Sequence, residues 1–108
     1  MGSVGRDREP ERSWTFLTNH TRVLACIAAE PAIRLRDIAS RIGITERAAQ
    51  RIVGDLVDAG YLERERVGRR NVYRAHLNEP LRHPLEASYT VGALLASISE
   101  QRPLRAAQ

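Results

Sequence analysis

Lysine is absent from this sequence, and all 17 basic residues are arginine. Arginine presents a planar fork of donors suited to phosphates and guanine edges, so a net charge of +4 and a pI near 10.2 fit a polyanionic partner. An all-arginine usage can equally follow from genomic base composition; it permits nucleic acid without demonstrating it. Cysteine is reduced to one, Cys26, which excludes an internal disulfide. Its place in an apolar helical stretch marks it as a small buried side chain. No apolar run approaches the roughly 20 residues a membrane span needs. The opening stretch MGSVGRDREPERS has no apolar signal core. A cytoplasmic protein without a membrane partner is expected. Enzyme chemistry also lacks its parts: there is no phosphate loop, no nucleophile elbow and no Ser/His or Cys/His pair in a supporting context. No catalytic residue and no cofactor is expected. His20, His76 and His83 fall in three different elements and read as surface residues rather than metal ligands.

What is present is enough for one domain with a modest core: 108 residues, 43% hydrophobic and 28% charged. Residues 1–13 mix Gly, Ser, Pro and charge without a period and read as a flexible tail. From Trp14 the texture changes. Leu17, Leu24, Ile27 and Ala28 share a helical face behind Thr18 or Asn19 as N-cap, and Pro31 ends that helix. A short strand AIRL is expected next, followed by a second helix with Leu35, Ile38, Ala39 and Ile42 on one side. Gly43 breaks it, Ile44 plugs the turn, and Thr45 starts a third helix whose inner face is Ala48, Ala49, Ile52, Val53, Leu56 and Val57. Gly60 stops it. YLERERVGRRNVYRAHL then reads as a hairpin around a Gly-Arg-Arg-Asn tip, anchored by Tyr61, Val72 and Tyr73. Beyond Pro80 and Pro84, helical spacing resumes through Ala87, Val91, Leu94, Leu95 and Ile98. The expected fold is mainly α with a small β-hairpin: a unit over 14–80, a C-terminal helix over 81–102 and a flexible tail over 103–108.

Two helices crossing steeply through a short turn need a small residue where they approach, a glycine at the turn and an apolar residue reaching back. Ala39, Gly43 and Ile52 supply these in order. Followed by AGYL and an arginine-tipped hairpin, the arrangement over residues 17–77 resembles the winged helix-turn-helix of the ArsR and MarR repressor superfamilies. The segment LRDIASRIGITERAAQRIVGDLVDAGYL resembles their helix-turn-helix, and ERERVGRRNVYRAHL their wing. The metal-sensing ArsR proteins carry a cysteine-rich motif that residues 35–42 lack.

If Ala48, Ala49, Ile52 and Val53 face inward, Glu46, Arg47, Gln50, Arg51 and Gly54 face outward. In such a fold the helix 45–59 enters the major groove of double-stranded DNA. Arg47 and Arg51 can fork onto guanine, Gln50 can pair with adenine, and Gly54 lets backbone approach phosphate. Thr45 can offer a phosphate its hydroxyl or amide. Asp55 and Asp58 would be repelled, which limits the insertion to the helix's N-terminal half. In the 66–72 wing, Arg66, Arg69, Arg70 and Asn71 are the expected contacts, with Arg69 or Arg70 entering a narrow minor groove. The resemblance further implies a homodimer, for which Trp14, Phe16, Leu85, Tyr89, Val91, Leu95 and Ile98 are the available material. These features together imply a transcriptional repressor. The alternative is a winged-helix protein-protein adaptor, which would tolerate loss of the arginines. A hydrophobic effector near Trp14 and Tyr89 is compatible with the sequence, but nothing in it requires one.

Overall fold

Thr18 has extended backbone (φ −84°, ψ 169°), and the chain turns helical immediately after it. In the computed structural model, which describes residues 14–99, this first helix α1 runs Asn19–Ala29 and buries Val23, Leu24 and Ile27. Ala28, expected on that face, is exposed, because Val23 rather than Ala28 completes the buried stripe. Thr18 is the N-cap residue but makes no side-chain capping bond. The expected tails 1–13 and 103–108, and the last residues of the expected 81–102 helix, lie outside the described residues.

The AIRL segment is not a strand. Ala32, Ile33 and Arg34 form a loop from which Ile33 enters the core, Leu35 already being helical, and β2 (Arg70–Ala75) meets this loop with one backbone hydrogen bond, Tyr73 N–H to the Pro31 carbonyl at 3.0 Å. One bond does not make a ladder, so the sheet has two strands.

Helix α2 (Leu35–Ile42) ends at Gly43, whose φ of +87° is the left-handed conformation that the next backbone bond needs. The Ile44 N–H reaches back to the Ala39 carbonyl at 3.0 Å, closing a Schellman-type end. Helix α3 (Glu46–Asp58) begins at Thr45, whose hydroxyl oxygen accepts from the Ala48 N–H at 3.0 Å. It stops in the same manner, with Gly60 at φ +88° and Tyr61 N–H bonded to the Leu56 carbonyl at 2.9 Å. Ala39 and Ala49 are both buried, so the two helices can cross closely, and Ile38, Ile52, Val53 and Leu56 fill the space around them. This is the helix-turn-helix read from Ala39, Gly43 and Ile52.

β1 (Leu62–Val67) pairs antiparallel with β2 in a register that sets Leu62 opposite Ala75 and Val67 opposite Arg70. The loop is therefore two residues, Gly68 and Arg69. With Gly68 at φ +62° and no non-glycine residue at positive φ among the described residues, it is a II′-type turn.

After the hairpin the chain doubles back. The Tyr61 hydroxyl donates to the Pro80 carbonyl at 2.6 Å, and Leu81 N–H bonds to the Tyr89 carbonyl. Val91 and Gly92 N–H bond to the Glu79 and Leu77 carbonyls. These bonds bridge Thr90 to Pro80, so the expected C-terminal helix starts later than its periodicity suggests: α4 spans Val91–Ser99. Before it there is only a short 3-10 turn at Pro84–Glu86. α4 buries Val91 and Leu95 in the same core as α1 and α3. The result is the mainly helical winged arrangement expected, with a C-terminal helix docked on it.

Candidate nucleic-acid interface

Helix α3 has one buried face, formed by Ala49, Ile52, Val53 and Leu56. A 3.6-residue period then leaves Glu46, Arg47, Gln50 and Arg51 exposed, with Gly54 half-buried between exposed Arg51 and Asp55. Arg47, Gln50 and Arg51 have no side-chain hydrogen bond and no salt bridge to any other described residue. Their donors are free to meet an external ligand. Thr45 is committed as N-cap through its oxygen, but its hydroxyl proton remains available to donate outward. Gly54 has open space where a side chain would begin, with no atom within 4 Å. Nothing inside the protein requires a glycine there.

The C-terminal half of α3 is electrostatically different. Asp55 Oδ2 lies 2.9 Å from His20 Nε2 of α1, a contact between residues 35 apart in the chain. His20 therefore fastens α1 to the end of α3. His83 also has a local role, its Nδ1 accepting from the Leu85 N–H at 3.0 Å. Among the described residues no group of histidine, cysteine and carboxylate side chains could hold a metal ion.

The hairpin carries charge on both faces. On the outer face Glu63 stands opposite Arg74 and bonds to it, and His76 Nε2 lies 3.4 Å from the same carboxylate. The Arg74 hydrogen bond, then its charge, holds the Glu63 carboxyl below its ordinary value, with a smaller contribution from His76. The same pairing raises Arg74. Glu63 therefore offsets the charge of Arg74 across the strands.

At the tip the four expected contacts divide. Arg69 occupies the turn itself, exposed and without a bond to any described side chain. Arg66 Nε points back to the Gly68 carbonyl at 3.4 Å, a long and weak contact. Asn71 is half-buried in β2, opposite Arg66. Arg70 does not stand free at the tip as expected: its guanidinium donates to the carbonyl of Ala32 in the loop between α1 and α2. A two-residue turn places Arg70 on the first residue of β2, at the edge facing that loop.

The expected dimer residues divide as well. Trp14, Phe16, Leu85 and Tyr89 are exposed, at 69%, 91%, 83% and 62%, and the Trp14 and Phe16 rings meet edge to face with centroids 5.1 Å apart. Val91 and Leu95 are buried in the chain's own core, and Ile98 packs partly against it. Being buried within their own chain, Val91 and Leu95 leave little surface for a second subunit. Phe16, Leu81, Leu94 and Glu86 line an open, mostly apolar groove of about 530 Å³ beside this exposed set. No helix among the described residues is long and apolar enough to cross a membrane.

Residues 15–70, just over half the chain, match the family model described as the MarR family. The match covers α1, the helix-turn-helix, and the hairpin as far as its turn. No curated protein and no solved structure gives a match.

Proposed function

Because this chain belongs to the MarR family, whose members are DNA-binding transcription regulators, we propose that it is a homodimeric, sequence-specific repressor working on double-stranded DNA in the cytoplasm. The observation that carries this reading is the outward ridge of α3. Arg47, Gln50 and Arg51 project together from a helix whose other face is locked in the core, and none has a partner among the described residues. Set in the major groove, Arg47 and Arg51 can each fork onto a guanine edge, and Gln50 can pair with adenine. Glu46 can accept from a cytosine amino group. Thr45, at the positive end of the helix, can donate to a phosphate. Asp55, one turn beyond Arg51 and engaged by His20, limits the insertion to the N-terminal half of the helix.

The wing serves a different purpose. Arg69 at the turn meets the adjacent backbone or minor groove, with Arg66 and Asn71 behind it. Arg69→Ala should therefore weaken binding to all duplexes and reduce the slope of log K against log salt by about 0.9 per half-site, the value for one phosphate contact. An unchanged slope would remove Arg69 from the interface.

One recognition helix reads few bases. Two related by a two-fold axis read half-sites about 34–36 Å apart. The surface available for this pairing is the exposed set Trp14, Phe16, Leu85 and Tyr89, together with the groove beside them. Occluding a promoter with such a dimer is repression.

Gly54 separates the demands of fold and ligand. Alanine would fill open space and remove the backbone freedom of a mid-helix glycine, so Gly54→Ala should stabilise the free protein by about 0.5–1 kcal/mol. If α3's backbone comes close to DNA at Gly54, the same variant should bind operator more weakly. Thermal melting and a binding titration on one preparation check both halves; a variant that gains stability and keeps full affinity would show that α3 does not approach DNA there.

The test of the whole reading is a fluorescence anisotropy titration against labelled duplex from the DNA upstream of the protein's own gene, beside a shuffled duplex, at several salt concentrations. Tighter binding to the upstream duplex, weakening steeply with salt, is the expected result. No salt-sensitive binding to either would favour the adaptor reading.

A further inference from the structure

Two groups of β2 reach the loop between α1 and α2. The Tyr73 N–H donates to the Pro31 carbonyl, and the Arg70 guanidinium donates to the neighbouring carbonyl of Ala32. The loop is itself well held. The Glu30 N–H closes α1 on the Cys26 and Ile27 carbonyls, Ile33 is buried, and the Glu30 carboxylate meets Arg41 Nη2 of α2 at 3.0 Å. It is a fixed post beside a hairpin that has few other supports.

The outer half of that hairpin needs one. β1 buries only Leu62 of its six residues, and β2 buries only Tyr73. From those two toward the turn, β1 is exposed throughout and β2 keeps only Asn71 and Val72 half-buried, and a two-stranded ribbon is marginal by itself. Between Tyr73 and the turn, Arg70 makes the one side-chain bond from the hairpin to another element among the described residues. It does so next to the turn that carries Arg69.

We propose that Arg70 is a positioning residue for the wing: bonded to Ala32, it fixes where Arg69 stands relative to α3, and it does not itself contact DNA. This rests on the reading of the wing as a DNA contact. Arginine suits the role because its fork reaches across the open edge of β2 and donates to a carbonyl without needing a counter-charge. A wing held in place before binding loses less conformational freedom on binding. The neighbouring arginines 69 and 70 would then have separate functions, one facing the ligand and one facing the protein.

Two measurements test this, and the first needs no DNA. Amide exchange at Tyr73 reports whether β2 stays on the loop. Arg70→Ala should speed that exchange by roughly twofold to tenfold, the effect of losing one net hydrogen bond, while core amides such as Ile27 keep their protection. Arg70→Lys, whose ammonium can donate to the same carbonyl, should restore much of it. Unchanged exchange in Arg70→Ala would overturn the proposal, whether or not the protein binds DNA. The second is a double-mutant cycle on the salt slope with Arg69→Ala. Arg70→Ala should flatten the slope only when Arg69 is present. A further loss of about 0.9 per half-site in the Arg69→Ala background would make Arg70 a phosphate contact in its own right and overturn the assignment. If the parent shows no salt-dependent binding, the DNA reading itself fails, and the exchange result still decides what Arg70 does.

Discussion

Arg51→Ala is expected to weaken operator binding by about 1–3 kcal/mol per half-site, hence about 2–6 kcal/mol for a symmetric dimer. The size follows from geometry. Arg51 lies on the second turn of α3, one turn beyond Arg47, and is exposed with no salt bridge among the described residues. Its charge is therefore fully available to a base edge, and a bidentate contact to guanine discriminates one base pair from the others. Alanine should consequently do more than lower affinity. It should flatten preference at one position of each half-site, while a phosphate contact such as Arg69 weakens all sequences alike. Stability should hardly change, because an exposed side chain without a partner leaves nothing unsatisfied when it is removed. Titrations against a panel of single-base operator variants, with a melting curve as control, check the three parts. Parental affinity and parental base preference would mean that Arg51 faces solvent in the complex.

Gly92→Ala reverses the usual effect of removing a glycine from a helix. An added Cβ would stand 2.8 Å from the Leu77 carbonyl oxygen and 3.1 Å from the Leu77 Cβ. The oxygen is backbone, already bonded to the Gly92 N–H at 2.8 Å, so it cannot swing aside as a side chain would. Either α4 or the Leu77–Leu81 segment must move, and both are tied together by the bonds from Leu81, Val91 and Gly92. Overpacking of this kind costs about 1–3 kcal/mol. At roughly 4–8 °C per kcal/mol for a domain of this size, the melting temperature should fall visibly. Gly54→Ala is the matched control, since it should rise. A rise in both would show that α4 is not seated on Leu77 as described.

Much of the helix-turn-helix was legible because its signals are local. Gly43 and Gly60 take the left-handed conformation at helix ends, Thr45 caps α3, and the small residues Ala39 and Ala49 fall where helices cross. The outward direction of Arg47, Gln50 and Arg51 follows from the inward direction of Ile52 and Val53 through helix periodicity alone. Where the reading departed from the structure, distant partners were involved. AIRL has the composition of a strand, but the one backbone bond from β2 goes to Pro31 just before it, and that bond depends on how the hairpin folds over the loop. The α4 stripe offered Val91 and Leu95 to a second subunit because nothing in nearby sequence reveals that both are already buried in the chain's own core.

Sequence alone, then, determined which residues cap, turn and line α2 and α3, and which side chains of α3 are left over, because those depend on contacts within a few residues. Tertiary structure decided which charges remain free. Arg74 is matched with Glu63 across the strands, Asp55 with His20, and Arg70 with Ala32, at separations of 11, 35 and 38 residues. Two adjacent arginines look equivalent in the chain. They diverge because the two-residue turn at Gly68 and Arg69 leaves one in the loop and sets the other at the start of a strand, beside a carbonyl that only folding brings near.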